Sequence, residues 1–362
     1  MGRDEGSTVG FDAVQAWLRT HVHPEALLVA LTSLGAEEAA GAKAYGYGRP
    51  LQVTFETHGE PQHLVLRTMA PDPFGHDRRS DRVAAMLLAR DTFGHVPQHI
   101  RPHDVGVIDT DGHLVSIPPG DAFLVTDYAL GTLYAGDLGR IARTRIATPL
   151  DVARAAALGR YLAALHAEHA PPEAWRRCLR DTIGSGEGIF GLCDSYPVGD
   201  PTATARRLEA IERAAVGWRW RLRGHAYRAR RTHGDFHPFN LLFRDGEDFT
   251  ALDCSRGGAG EPADDVTCLA VNYLFFALRG GGHFGEPFRA LWDAFFSAYA
   301  RGRADEELYG VVAPFFAWRC LVLASPVWYP EVSEAVRDRL LCFSERLLEG
   351  APFRPDQVEA LL

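Results

Sequence analysis

His233-Gly234-Asp235-Phe236-His237-Pro238-Phe239-Asn240-Leu241-Leu242-Phe243, followed by Phe249-Thr250-Ala251-Leu252-Asp253, is the stretch on which the reading of this chain turns. Its two apolar runs, Leu241–Phe243 and Phe249–Leu252, flank Arg244-Asp245-Gly246-Glu247-Asp248, a polar turn with a glycine. That pattern predicts a β-hairpin. A hairpin brings its ends together, so Asn240 at the start of one strand and Asp253 at the end of the other become neighbours, with Asp235 on the preceding loop. Oxygen donors so placed suit Mg²⁺, which takes few protein ligands and completes its shell with water and phosphate oxygens. An Asp beside them that orients or deprotonates a hydroxyl completes what phosphoryl transfer needs. Each Asx residue alone reads as turn or capping chemistry; the combination carries the prediction.

Working outward, the residues before this stretch are helical and those before residue 131 are β-rich. Residues 11–34 read as largely helical, with Phe11, Val14, Trp17 and Leu18 at helical spacing. Leu51–Phe55 and His63–Arg67 read as paired strands around His58-Gly59-Glu60-Pro61. Ser80 or Asp81 offers an N-cap to a helix through Phe93, and Val105–Ile108 and Ala122–Tyr128 are further strands. Val152–His169 is an amphipathic helix, another helix runs over Ala203–Trp218, and helices return from Val266 to the end. The expected architecture is α+β in two lobes: a small β-rich N-lobe with one main helix, residues 1–130, and a larger helical C-lobe, residues 131–362. The linker lies near 123–131.

The 362 residues are 46% apolar, enough to bury real cores, and the formal charge is -9. That acidity argues against general nucleic-acid or anionic-membrane binding. The densest arginine run, Arg219 to Arg231, reads as a solvated helix face, with Trp218, Trp220 and Tyr227 leaving a base-stacking surface as the alternative. The six cysteines form no C-x-x-C pair, no basic stretch precedes an apolar one at the N-terminus, and Cys268–Leu278 is about half the length of a membrane span. A cytoplasmic protein is expected. Lys43 is the only lysine among 38 basic residues, so chemistry that leans on lysine must use it or an arginine.

The sequence resembles the aminoglycoside phosphotransferase and choline kinase superfamily, which has the protein-kinase-like fold. His233, Gly234, Asp235 and Asn240 match its H-G-D-x-x-x-x-N pattern, Asp253 its metal-binding aspartate, and Gly260, Glu261, Pro262 and Asp265 its G-[DE]-P-x-x-D element. Leu158-Gly159 with Leu162–His166 is similar to its L-G-x-x-L-A-x-L-H helix, and Phe123–Tyr128 with Gly131 to its hinge. The resemblance implies a kinase using ATP or GTP with Mg²⁺. Asp235 would be catalytic, Asn240 and Asp253 would hold the metal, and Asp265 and His233 would support the loop. Asp127 and Tyr128 would receive the nucleotide base. An aminoglycoside or other antibiotic as acceptor, and with it a resistance role, rests on that likeness.

Two departures stand out. Arg67 occupies the family's β3 lysine position, where a guanidinium still clamps phosphate. No glutamate occurs between Glu60 and Glu168, which leaves Asp81, or Asp77, to pair with Arg67. Lys43 precedes Tyr45-Gly46-Tyr47-Gly48, a candidate phosphate-covering turn, and reads equally as a solvated strand-end lysine. His237 is either a loop residue near the substrate hydroxyl or structural. Gly186-Glu187-Gly188-Ile189-Phe190-Gly191 is a formal G-x-G-x-x-G with no strand before it, hence a loop, placed to line an acceptor pocket with Asp194. Trp328 lies in a turn within reach of substrate. Two other readings stand beside the kinase: a catalytically silent nucleotide-binding module of the same fold, and a metallophosphoesterase. The esterase shares Asp235-Phe236-His237 but needs a Gly-Asn element the chain lacks.

Overall fold

The computed structural model describes residues 9–34, 50–72, 75–254 and 256–362. It is a mixed α/β structure that divides into two units, Met1–Val125 and Thr126–Leu362.

The first unit opens with α1 (Phe11–His21), and Val14 and Leu18 face its core. The sequence predicts helix to residue 34, but the helix stops at His21 and Leu27–Ser33 is strand β1. Pro24 offers no N–H and disfavours helical backbone at His23, so the run that follows leaves as an extended chain. Strands β2 (Leu51–Thr57) and β3 (Glu60–Leu66) pair antiparallel from Leu51↔Leu66 to Thr57↔Glu60, as expected. The sheet order is β1-β2-β3. Alternation along β2 buries Val53 and Phe55 against Val14, Leu18, Ala26 and Leu28. Helix α2 (Arg79–Thr92) starts one residue before the expected cap. Arg78 is its N-cap residue, and Asp81, in the first turn, accepts the Arg78 N–H at 2.7 Å. A short hairpin, β4 (Gly106–Ile108) with β5 (Leu114–Ser116), ends the unit.

The expected strand over Ala122–Tyr128 is absent: this exposed segment pairs with no strand among the described residues. An apolar run becomes a strand only where a neighbour takes its hydrogen bonds. Such a neighbour is first met at β6 (Thr132–Leu133).

The second unit is helical around a small sheet. Helices α3 (Tyr134–Thr144), α4 (Pro149–Leu165), α5 (Pro172–Gly184), α6 (Ile189–Ser195) and α7 (Ala205–Leu222) precede β7 (Arg230–Arg231). The hairpin follows as β8 (Leu241–Phe243) and β9 (Phe249–Ala251), with β6 on its other side in the order β6-β8-β9. After β10 (Ala259–Gly260), which pairs with β7, come α8 (Pro262–Gly281), α9 (Phe288–Gly302), α10 (Leu308–Val311), α11 (Ala313–Ala324) and α12 (Glu334–Leu348). One core joins them, with Trp175, Phe236, Tyr273, Phe295 and Trp318 among its fully buried side chains.

Helix α8 is buried on every side along Pro262–Leu278 and threads the centre of this unit. Its entry is fixed by polar contacts. Glu261, at the N-cap, accepts the Ala263 N–H at 3.2 Å, the Trp175 indole N–H at 2.5 Å and two Arg228 N–H bonds at 2.7 and 2.9 Å. Arg228 therefore departs from the solvated reading of its arginine run: it is buried and bridges Glu261 to Asp305. The neighbouring Arg219, Arg221 and Arg223 lie over the Trp218 and Trp220 rings.

Candidate active site

The loop from His233 to Asn240 lies between β7 and β8, and the first turn of α8 holds its start. Asp265 is fully buried, and its two oxygens accept the His233 and Gly234 backbone N–H groups, each at 2.7 Å. Gly234 has φ +83°, a left-handed conformation open to glycine at little cost. The Asp265 carboxylate also faces His166 Nε2 at 3.1 Å, while His166 Nδ1 is 2.9 Å from the Tyr299 hydroxyl. Burial raises the Asp265 carboxyl, but His166 and the two backbone N–H groups outweigh it and hold the group below its ordinary value.

These contacts present Asp235. Its Oδ1 accepts from Arg319 Nη1 at 2.7 Å, and its Oδ2 faces His237 Nε2 and Asn240 Nδ2, each at 3.4 Å. His237 Nδ1 accepts the Phe239 N–H at 3.2 Å, so a neutral imidazole carries its proton on Nε2, toward Asp235. Burial pushes the Asp235 carboxyl up, but the His237 hydrogen bond and the Arg319 charge prevail and hold it well below the usual carboxylate range.

Asn240 turns its amide nitrogen to Asp235, donating to the backbone oxygen at 3.1 Å. Its amide oxygen is thereby left facing away from that bond. The hairpin ladder extends one step past β9 as Leu252 N–H donates to Asn240 O at 2.8 Å, so Asp253 stands at the hairpin mouth beside Asn240. Asp253 is exposed, has φ +52° and makes no hydrogen bond or ion pair among the described residues. A non-glycine residue in that region carries roughly 1–3 kcal/mol of backbone strain, a feature that concentrates at functional positions. An amide oxygen and an unpaired carboxylate are hard donors that fit Mg²⁺.

The remaining predicted residues lie elsewhere or are less constrained. Arg67 is exposed just past β3 and makes no ion pair among the described residues; Asp81 is engaged by its helix terminus. Lys43 and the Tyr45–Gly48 turn lie outside the described residues. Asp127 and Tyr128 are exposed in the irregular segment before β6. Asp194 is an exposed residue of α6, and Trp328 is exposed in the turn between α11 and α12. The structure brings His233, Asp235, His237, Asn240, Asp253 and Asp265 together, and shows no bond from these to Asp194 or Trp328 among the described residues. The G-x-G-x-x-G segment, expected as a loop, is loop only over Gly186–Gly188 and continues as the first turn of α6 over Ile189–Gly191. A Cβ would sit 2.3 Å from Asp181 O on Gly188 and 2.0 Å from Gly186 O on Gly191, so these two glycines answer to close packing, while Gly186 faces open space.

Sequence reasoning missed Arg319 and Asp264. Arg319 Nη2 donates to Asp264 Oδ1 at 2.8 Å and to Gly234 O at 3.1 Å. Burial raises the Asp264 carboxyl to about 6, against the opposing charge of Arg319. A signal was present: Arg319 is the only charged residue in Ala313–Ala324, and a charge on a buried apolar helix must find a partner.

The family model described as the Phosphotransferase enzyme family matches residues 52–308, and the chain belongs to that family. Among solved structures, a macrolide 2′-phosphotransferase from Brachybacterium faecium aligns at 16% identity over 95% of this chain and 99% of that one, with a TM-score of 0.30. An APH(2″)-IIa bound to gentamicin aligns at 13% over 91% and 99%, TM-score 0.30. A spectinomycin phosphotransferase, APH(9)-Ia, with ADP and spectinomycin aligns at 12% over 97% and 96%, TM-score 0.31. No curated protein matches the chain. No helix among the described residues is long and apolar enough to cross a membrane.

Proposed function

We propose that the protein is a two-lobed, kinase-like phosphotransferase that moves the γ-phosphoryl group of ATP or GTP to a hydroxyl of a small molecule. Aminoglycosides and other hydroxyl-bearing antibiotics are the leading acceptor class. The observation that carries this reading is the grouping of Asp235, Asn240 and Asp253 on one loop and hairpin in a chain of the phosphotransferase family. In this reading residues 1–130 bind nucleotide, with the base against Asp127 and Tyr128 and the phosphates held by Arg67 and Lys43. Residues 131–362 supply the chemistry and the acceptor pocket, with Asp194 and Trp328 as candidate acceptor contacts.

Asn240 and Asp253 would hold Mg²⁺, which when bound neutralises charge on the nucleotide phosphates. Asp235 receives the acceptor hydroxyl on Oδ2, whose His237 and Asn240 neighbours stand at 3.4 Å against 2.7 Å for Arg319 on Oδ1, and orients it. The acceptor oxygen bonds to the γ-phosphorus as the bond to the bridging oxygen breaks, releasing the nucleoside diphosphate. A carboxylate held as acidic as Asp235 is a weak base. Its main contribution is therefore alignment, and the hydroxyl proton passes late to Oδ2 and from there to solvent, as a largely dissociative transition state permits.

A nucleotide-consumption screen with ATP and GTP tests the proposal. The panel comprises aminoglycosides, macrolides, amino alcohols, sugars and nucleosides, with product masses recorded. The expected result is one acceptor that gains a single phosphoryl group. Nucleotide binding with transfer to no acceptor would favour the silent module, a reading that draws on the missing glutamate between Glu60 and Glu168.

A further inference from the structure

Helix α11 lies outside the residues matched by the family, 52–308, yet it reaches Asp235. We propose that Arg319 on this helix is a positioning residue for the transfer: it fixes the Asp235 carboxylate by engaging Oδ1, so that Oδ2 is presented to the acceptor hydroxyl. The inference rests on the reading of Asp235 as the group that orients that hydroxyl.

The geometry is that of a clamp. Nη1 holds Asp235 Oδ1 at 2.7 Å, and Nη2 holds both Asp264 Oδ1 at 2.8 Å and Gly234 O at 3.1 Å. A guanidinium is planar, so fixing one prong on the α8 terminus fixes the direction of the other. The guanidinium carbon lies 3.8 Å from the centre of its neighbour's ring, Trp318, and the Arg256 guanidinium lies over the same ring at 4.1 Å. Trp318 is anchored in turn by its indole N–H to Glu187 O at 2.7 Å. Asp235 is thus tied through one rigid fork to α8, α11 and the α5–α6 connection.

Stability alone does not account for this arrangement. The Arg319 and Asp264 side chains are 7% and 6% exposed, and a buried ion pair is often replaced by apolar side chains without loss. Every other position of α11 is already uncharged. What an apolar residue at 319 could not do is hold Asp235.

Arg319→Met alone leaves Asp264 buried without its partner and is expected to fold poorly. The test therefore uses the neutral double variant Arg319→Met/Asp264→Asn. Its crystal structure is expected to show the Asp235 carboxylate rotated or spread over several orientations. In nucleoside diphosphate release from ATP and GTP with the acceptor panel, kcat is expected to fall about a hundredfold, with the nucleotide KM unchanged. Arg319→Lys, which keeps the charge without the fork, is expected to restore kcat only in part. An Asp235 carboxylate that keeps its wild-type orientation in the double variant, or a kcat that keeps its wild-type value, overturns the inference. Asp235→Ala in the same assay separates this from the reading beneath it: retained turnover there removes the assigned role of Asp235 itself.

Discussion

Asp264 gives the most quantitative consequence of the site. It is buried to 4% exposure, and its carboxyl is raised from 3.8 to about 6, burial outweighing the Arg319 charge. The folded state therefore holds the Asp264 proton more tightly than the unfolded state does. Well below its ordinary value of 3.8 the group is protonated in both states and costs nothing. As pH rises through 6 the folded protein must carry a buried charge that the unfolded chain carries in water. The gap, at about 1.4 kcal/mol per pH unit, comes to about 3 kcal/mol of stability lost between those limits. Asp264→Asn removes that titration while keeping an oxygen for Arg319. Urea unfolding of both proteins at intervals from pH 4 to pH 7.5 is the assay. The difference in unfolding free energy, wild type minus variant, is expected to fall by about 2.4 kcal/mol across the series, mostly between pH 4 and 6. Groups that do not interact with Asp264 cancel in that difference. A difference that stays level with pH, or that rises, would show that Asp264 is not held protonated by burial.

Other outcomes follow from the same contacts. Asp265→Ala strands two buried backbone N–H donors and His166, and should cost roughly 3–5 kcal/mol in urea unfolding. The native Asp265 carboxyl is held low, so its contribution is present above about pH 4 and lost as pH falls through its folded value. Gly159→Ala puts a methyl 2.4 Å from Phe295 O and 3.1 Å from the Tyr299 N where α4 packs on α9; thermal unfolding should show a loss of about 1–3 kcal/mol. Asp253→Ala should abolish the Mg²⁺-dependent part of the thermal shift given by ATP or GTP and leave the metal-independent part; a full metal-dependent shift would remove Asp253 from the ligand set.

The hairpin was legible because two short apolar runs around a polar glycine turn admit one local solution, and the positions of Asn240 and Asp253 follow from it. The bracing of the loop by Asp265 was legible only through the resemblance, since nothing local links residue 265 to residues 233 and 234. The strand at Leu27–Ser33 was lost to an apolar pattern that helix and strand share over short runs. Ala122–Tyr128 failed for the opposite reason: its apolar pattern is strand-like, but a strand needs a partner the sequence does not name. Arg319 was missed because its partners lie 84 and 55 positions away. Only its isolation in an apolar helix hinted that it had any.

In the proposed mechanism Asp235 acts on the acceptor hydroxyl and does not merely close a loop. The measurement that meets it most directly is acceptor phosphorylation by Asp235→Ala beside the wild type, with ATP and GTP binding followed by calorimetry in both. The variant is expected to bind nucleotide with little change and to transfer phosphoryl groups at least about a hundredfold more slowly. Transfer at the wild-type rate in the variant would contradict it.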